Sequence, residues 1–351
     1  MTVAAFMDLA LYDPGFGYYA RASRRSGAAG DFFTSVDTGP LFGRLLARQV
    51  AEMATLLDTA RPFTLVEAGA GDGRLCRDVI AALRQDLPVL QRMHAYLVER
   101  SAAARAAQAG TLNAAGLEDF ASSDTLPARF EGVLIANELL DAMPAHVVVM
   151  RESGPREVYV EAAATELTAR EGPLSSDAIA GQLARSGVEL RPGARAEVSL
   201  AALEWIRTAA RALTRGFIIL IDYGHEAQAL YGDARPHGTL ASFRRHRASN
   251  ADTATWLQAA GRQDLTTHVD FTAVRDVAEG EGCSVLGFMD QTYFLLALAD
   301  GMLDTLDDRD RRAFKTLVMP GGLGSTMKVM VLGRNVGRPH LRGCAGAARL
   351  T

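Results

Sequence analysis

Short apolar runs alternate with stretches of helical periodicity through the first half of the chain, a pattern of parallel βαβ units rather than of a sandwich or a bundle. Phe63 to Glu67 reads as a buried strand ending in an acid, and Arg74 to Arg84 follows as an amphipathic helix. His94 to Glu99 repeats the arrangement, with Ser101 as N-cap of an alanine-rich helix through Gln108. Gly132 to Ala136 and Phe217 to Ile221 are two further strands of the buried type, the first running into Asn137-Glu138 and the second into Asp222-Tyr223-Gly224. The segment between them is too long for a simple crossover. Val147 to Met150 and Glu157 to Glu161 flank the turn signal Glu152-Ser153-Gly154-Pro155 and predict a β-hairpin, after which Ser175 to Arg185 and Ala196 to Leu213 read as helices. Met327 to Leu332 is a last apolar strand behind the glycine turn Pro320 to Gly324.

The turn after the first strand carries the most chemistry. In Glu67-Ala68-Gly69-Ala70-Gly71-Asp72-Gly73 the glycines fall in a GxGxG spacing, whereas a dinucleotide fingerprint needs GxGxxG. A pyrophosphate requires free backbone N–H groups at the helix start. S-adenosylmethionine has no phosphate, so Gly69, Ala70, Gly71 and Gly73 would instead allow close backbone approach to its amino acid and ribose parts. Glu67, just before the loop, suits a ligand that presents an ammonium and a sulfonium. Glu99 ends the next strand, where a carboxylate accepts both ribose hydroxyls and repels a 2′-phosphate. The competing readings are an ordinary tight turn or an NAD site for the loop, and a solvated acid for Glu99.

Composition narrows the field without choosing within it. With 351 residues the chain can bury a full core, and 48% hydrophobic and 22% charged residues with a net charge of −4 leave no electrostatic footprint for nucleic acid. The basic cluster Arg244, Arg245 and Arg247 reads as a solvated face. Cys76, Cys283 and Cys344 lack any CxxC or zinc spacing, so no metal knot and no disulfide framework is expected, and a reducing cytoplasm fits. No apolar run approaches the length of a membrane span.

Residues on either side of this core resemble one family. Leu11-Tyr12-Asp13-Pro14-Gly15-Phe16-Gly17-Tyr18-Tyr19 and Gly30-Asp31-Phe32-Phe33-Thr34-Ser35 are similar to the opening of the methyltransferase family that contains the mitochondrial complex I assembly arginine methyltransferase and its bacterial homologues. Asn137-Glu138-Leu139-Leu140-Asp141-Ala142-Met143-Pro144, Asp222-Tyr223-Gly224-His225, Gly238-Thr239-Leu240 and Asp264 to Phe271 continue the resemblance across most of the chain. It implies an α/β fold of the Rossmann-like class I methyltransferase type, with a seven-stranded, mostly parallel sheet and helices on both faces. The division expected is an N-terminal helical or lid segment over 1–60, an S-adenosylmethionine-binding core over 61–145 and an inserted hairpin and helices over 146–214. The second half of the sheet, with acceptor-side loops, would follow over 215–335, and a C-terminal tail over 336–351.

The resemblance also directs the choice of site residues. Thr34 and Ser35 are expected to bind the carboxylate end of the cofactor, unless they cap the helix beginning near Leu41. Arg100, Asn137 and Glu138 join the cofactor set. An arginine acceptor stays protonated, so it needs carboxylates to hold it and to accept charge as the proton leaves. Glu138 and Asp141, after the third strand, are candidates, and Asp222 ends the next strand. His268 and Asp270 stand two apart on a presumed strand and so share a face, giving either an Asp-supported base or a helix cap beside a structural histidine. His225 is equally open. Tyr18, Tyr19 and Phe32 form either a lid hinged at Gly15, Gly17 and Gly30 or part of the core. Three functions remain: a protein arginine methyltransferase acting on a respiratory complex subunit or similar partner, a methyltransferase for small molecules or other protein side chains, and a non-catalytic cofactor-binding assembly chaperone. Oligomeric state has no signal in the sequence.

Overall fold

A computed structural model describes residues 1–21, 33–57, 62–84, 93–163, 166–244, 247–250 and 255–345. The chain falls into two units, one of Met1–Phe32, Leu140–Arg207 and Tyr223–Val277, the other of Phe33–Leu139, Thr208–Asp222 and Ala278–Thr351.

The second unit holds the central sheet. Its strands are β1 (Phe63–Ala68), β2 (Met93–Val98), β3 (Phe120–Ser123), β4 (Phe130–Asn137), β5 (Leu213–His225, leaving this unit after Asp222), β6 (Ser284–Asp290) and β7 (Met327–Arg334). Their order is β6-β7-β5-β4-β1-β2-β3, and a two-residue strand, Val269–Asp270, paired to the end of β5 makes eight, one more than the seven expected. β3, β2, β1, β4 and β5 pair in parallel, and β6 lies antiparallel to β7. Val133, Leu134 and Ile135 of β4 and Phe217 to Ile221 of β5 are all buried, so the unbroken apolar runs follow from burial on both faces of the sheet. Chain order reverses between β1 and β4, because β2 and β3 are added on one side of β1 and β4 on the other. An open α/β sheet has its ligand crevice at such a point, outside the carboxyl ends of the strands.

Two glycines let the central strands approach. Gly132 pairs with Thr64 of β1 and with Gly216 of β5, at φ +152° and +137° respectively. A Cβ at Gly132 would lie 2.0 Å from the Thr64 carbonyl oxygen, and one at Gly216 would lie 1.9 Å from the Gly132 carbonyl oxygen.

The first unit is built from antiparallel hairpins. Glu166–Gly172, Gly154–Ala163, His146–Arg151 and Arg195–Val198 form a four-stranded sheet in that order. The hairpin expected around residues 152–155 is there. Ala196 to Val198, expected to begin a helix, is instead a strand paired with His146 to Val148, and the helix starts only at Leu200. Its alanine-rich continuation hides the boundary. A three-stranded sheet follows the order Arg247–Asn250, Ala241–Arg244, Asp264–Thr266, and Val269–Asp270 pairs with Gly224 and His225 at the end of β5. The helix Val3–Tyr12 buries Val3, Phe6, Met7 and Leu11 in one cluster with Val147, Val149, Val158, Trp256 and Leu265. Asp13 stops it by accepting the Gly15 and Phe16 amides on Oδ1, a local side-chain turn.

Candidate functional site

The carboxyl ends of β1 and β2 are in register, Ala68 opposite Val98, so the loop leaving β1 starts beside the end of β2. The Gly69 and Ala70 amides both donate to the Val98 carbonyl, at 2.9 and 3.0 Å. Gly69, Gly71 and Gly73 have φ of +71°, +52° and +83°, a left-handed backbone that a Cβ disfavours. At Gly71 a Cβ would meet nothing within 4 Å, so the loop presents bare backbone to open space there. Gln108 steadies the loop from the side. Fully buried, it donates through Nε2 to the Gly71 carbonyl at 2.9 Å and accepts the Ser122 hydroxyl.

Glu99 is the acid of this loop. Its Oε2 accepts the Gly71 amide at 2.9 Å and its Oε1 the Ser101 amide at 2.7 Å. Each carboxylate oxygen has two lone pairs, so one remains on each for a pair of ligand hydroxyls. Arg100 follows, exposed, and its carbonyl accepts Nη1 of Arg105.

Glu67 faces inward. It is buried with its Oε2 accepting the Cys76 amide at 2.8 Å, which anchors the first turn of the helix Arg74–Leu83 onto β1. Burial pushes its carboxyl up from an ordinary 4.5 to about 8, against the opposing effect of the Cys76 amide. Below the ordinary value both folded and unfolded chains hold the proton. Between there and about 8 the unfolded chain releases it while the folded chain keeps it, so stability falls as pH rises, by about 1.4 kcal/mol per unit at most. Glu67→Gln mimics the protonated acid. Its melting temperature relative to wild type should therefore climb steadily when both are scanned from pH 5 to pH 8, and a constant difference would show that Glu67 ionises freely in the fold.

Thr34 and Ser35 sit on a different framework from the one expected. Thr34 donates its amide and hydroxyl to Asp37 Oδ2, at 3.0 and 2.8 Å, and so caps the short 3-10 turn Ser35–Thr38 rather than the helix Leu41–Leu56. The Ser35 hydroxyl is buried and donates to Gln291 Oε1 at 3.2 Å. Both hydroxyls are thus engaged inside the protein. Asp37 also receives Nη1 of Arg74 at 2.9 Å, and Arg74 reaches Asp72 of the glycine loop through Nε at 3.2 Å.

At the end of β4 the backbone turns sharply. Glu138 has φ +52°, a left-handed conformation that a side-chain-bearing residue holds only under constraint. Its amide donates to the Ile221 carbonyl, and Asp222 Oδ2 receives the next amide, that of Leu139, at 3.1 Å. The Glu138 Oε1 accepts the Ser35 amide at 3.2 Å and Asn137 Nδ2 at 3.1 Å. The opposite end of the same amide, Asn137 Oδ1, is buried with no hydrogen-bond partner. A buried acceptor in that state wants a donor. Bare loop backbone, two spare carboxylate lone pairs and this acceptor together fit a polar nucleoside that carries hydroxyl and ammonium donors.

The remaining candidates lie in the first unit. Asp141 is buried, and desolvation pushes its carboxyl up to about 7 although the Ala142 amide and its own donate to it. Of the two readings open for His268 and Asp270, the structure has the helix cap. Asp270 Oδ1 accepts the Ala273 amide at 3.1 Å, the capping bond of the helix Phe271–Gly280, and its Oδ2 accepts the Tyr231 hydroxyl. The physical reason is that the strand is only two residues long, so Asp270 stands at the start of a helix whose first amides need an acceptor. His268 is pushed down to about 4 by burial and by Arg235, and its Nδ1 is buried without a partner. It lines a cavity of about 30 Å³ with Tyr231, Glu197, Ser199 and Thr267. His225 Nε2 accepts from Arg235 Nη2 at 2.7 Å. Tyr18 is a buried member of the core cluster, and the Tyr19 ring stacks on Tyr12 with its hydroxyl donating to Asp264 at 3.0 Å. Phe32 and Gly30, like Asp31, lie outside the described residues.

Sequence reasoning missed Asp37, Arg74, Gln108 and Gln291. Only the two glutamines left a trace, as amides at otherwise apolar positions of helices. Among the described residues no group of His, Cys, Asp and Glu could hold a metal ion, and no helix is long and apolar enough to cross a membrane.

Residues 45–289 match the family described as "Putative S-adenosyl-L-methionine-dependent methyltransferase". The chain is 31% identical to the Homo sapiens protein named "Protein arginine methyltransferase NDUFAF7, mitochondrial", over 84% of this chain and 69% of that protein. Against the Drosophila melanogaster homolog the identity is 27%, over 97% and 83%. A Burkholderia thailandensis crystal structure bound to S-adenosyl-homocysteine is similar over 99% of this chain and 91% of that one, with a TM-score of 0.89 and 30% identity.

Proposed function

This chain belongs to the family of S-adenosyl-L-methionine-dependent methyltransferases, and on that premise we propose that it methylates an arginine side chain of a protein partner. It is a methyltransferase of the class I fold, and its cofactor is S-adenosylmethionine. The relatives named above as protein arginine methyltransferases support the arginine reading. The observation that carries it is Glu138, a carboxylate fixed by a left-handed turn at the end of the central strand.

In this reading Gly69, Ala70, Gly71 and Gly73 line the cofactor with backbone, Glu99 takes the ribose hydroxyls, and Asn137 Oδ1 accepts from the ammonium end. Arg100 borders the nucleoside. Thr34 and Ser35 act through their backbone and through Glu138 rather than by their hydroxyls, and Glu67 holds the helix behind the loop. Bound S-adenosylmethionine supplies a methyl already activated by its sulfonium, so the protein needs alignment more than strong acid–base power. A guanidinium keeps its proton at any accessible pH, so Glu138 would hold it by charge-assisted hydrogen bonds and balance its charge. The proton released on methyl transfer passes to the Glu138 carboxylate or to solvent. Asp270 contributes structure through its cap.

The test is incubation with labelled S-adenosylmethionine and cell lysate, followed by mass spectrometry of the labelled residue. Label on protein arginine is expected. Label on a small molecule or another side chain would replace arginine as the acceptor, and no label at all would leave a cofactor-binding assembly factor. In the same assay Glu138→Gln should bind adenosylhomocysteine within about threefold of wild type yet transfer methyl at least about 100-fold more slowly, the scale of losing one charged group that acts in the transition state. Full turnover by this variant would clear Glu138 of the role.

A further inference from the structure

Gln291 is the first residue of the helix Gln291–Ala299 and wholly buried, on the side of the helix that carries Phe294, Leu295 and Leu298 into the core. A methionine would fill the same space. What the amide adds is a set of hydrogen bonds between distant segments. Nε2 donates to the Leu317 carbonyl at 3.1 Å and the Leu323 carbonyl at 3.4 Å, which leaves Oε1 to accept the Ser35 hydroxyl at 3.2 Å. Ser35 in turn gives its amide to Glu138 Oε1 at 3.2 Å, and its carbonyl accepts the Thr38 hydroxyl at 2.8 Å. Ser35 is therefore held by side chain, amide and carbonyl together. The other face of its turn is tied through Asp37 and Arg74 to Asp72 of the glycine loop.

We propose that Gln291 is a positioning residue for methyl transfer: it fixes Ser35, and the Ser35 amide fixes the carboxylate of Glu138. The proposal rests on the reading of Glu138 given above. It follows from an imbalance at that residue. The left-handed backbone of Glu138 sets where its side chain leaves the chain, but a glutamate has three further torsions, and the carboxylate is aimed only by its donors. Of the donors described, Asn137 Nδ2 is on the neighbouring residue, whereas the Ser35 amide comes from a segment 103 residues away, and that segment is placed by Gln291.

The experiment uses Gln291→Met, Glu138→Gln and the double variant of the full chain, with labelled S-adenosylmethionine, lysate protein as acceptor, calorimetry with adenosylhomocysteine, and amide hydrogen exchange read at Ser35. Gln291→Met should slow transfer at least about tenfold, leave adenosylhomocysteine affinity within about threefold, and speed Ser35 exchange at least about tenfold while β1 and β4 stay protected, each tenfold being the loss of roughly one net hydrogen bond. Added to Glu138→Gln, it should cost no further transfer, because a residue acting through another has nothing left to act on. Equal losses in both backgrounds, or unchanged Ser35 exchange, would overturn the proposal. Should Gln291→Met not fold, Ser35→Ala removes the same bond from the other side, and the same coupling with Glu138→Gln is expected. If Glu138→Gln retains transfer, the role of Glu138 fails and the catalytic part of the proposal with it. If Glu138→Gln is inactive while Gln291→Met transfers normally, the tether alone fails.

Discussion

Replacing Glu99 by alanine should weaken adenosylhomocysteine binding by about 100-fold or more while leaving the far-ultraviolet spectrum and the melting transition close to wild type. Two losses combine. The ribose hydroxyls lose a charged acceptor, at about 1.5 to 3 kcal/mol for each such bond, and the Gly71 amide loses the oxygen that holds it at 2.9 Å. Glu99 is only partly buried and its backbone partners stay in place, so the fold has little reason to respond. Glu99→Gln should fall between, since its carboxamide oxygen accepts one bond but its nitrogen cannot accept the second. Isothermal titration at neutral pH decides the matter: an alanine variant with wild-type affinity would remove Glu99 from the cofactor site altogether.

The second large effect is on the fold. Gly132→Ala puts a Cβ 2.0 Å from the Thr64 carbonyl oxygen in the middle of the parallel sheet, at a backbone angle that side chains avoid. Neither obstacle can move aside, because both are main chain in strands paired on each side. The expected cost is about 3 kcal/mol or more, with a fall in melting temperature of about 4 °C or more. Calorimetry of the purified variant would test it, and a wild-type transition would mean that β1 and β4 do not pair in this register. Cofactor affinity of whatever fraction folds should be unaltered, since Gly132 lies at the opposite end of β4 from Asn137.

Much of the central sheet was legible because buried parallel strands are uninterrupted apolar runs, as in Leu65-Val66 or Ile218 to Ile221. β3 and β6 escaped that rule. β3 is Phe-Ala-Ser-Ser and only partly buried, and β6 is interrupted by Gly287, so neither has the composition of a buried strand. The glycine loop and Glu99 were readable because chain neighbours supply them, a loop after one strand and an acid at the end of the next. The rest of the site depends on contacts that sequence spacing does not encode. Arg74 meets Asp37 across 37 residues and Gln291 meets Ser35 across 256. For His268 and Asp270 spacing alone left a pair and a cap equally open, and the need of a helix for an N-terminal acceptor took the aspartate while burial left the histidine neutral.

The left-handed turn at Glu138 has an energetic consequence. Glycine would adopt that geometry without the roughly 1 to 2 kcal/mol that a side-chain-bearing residue gives up there. In a protein of ordinary marginal stability that is a sizeable share of the folding margin. On the role proposed for Glu138, that cost is offset by the carboxylate which the turn holds at the end of β4.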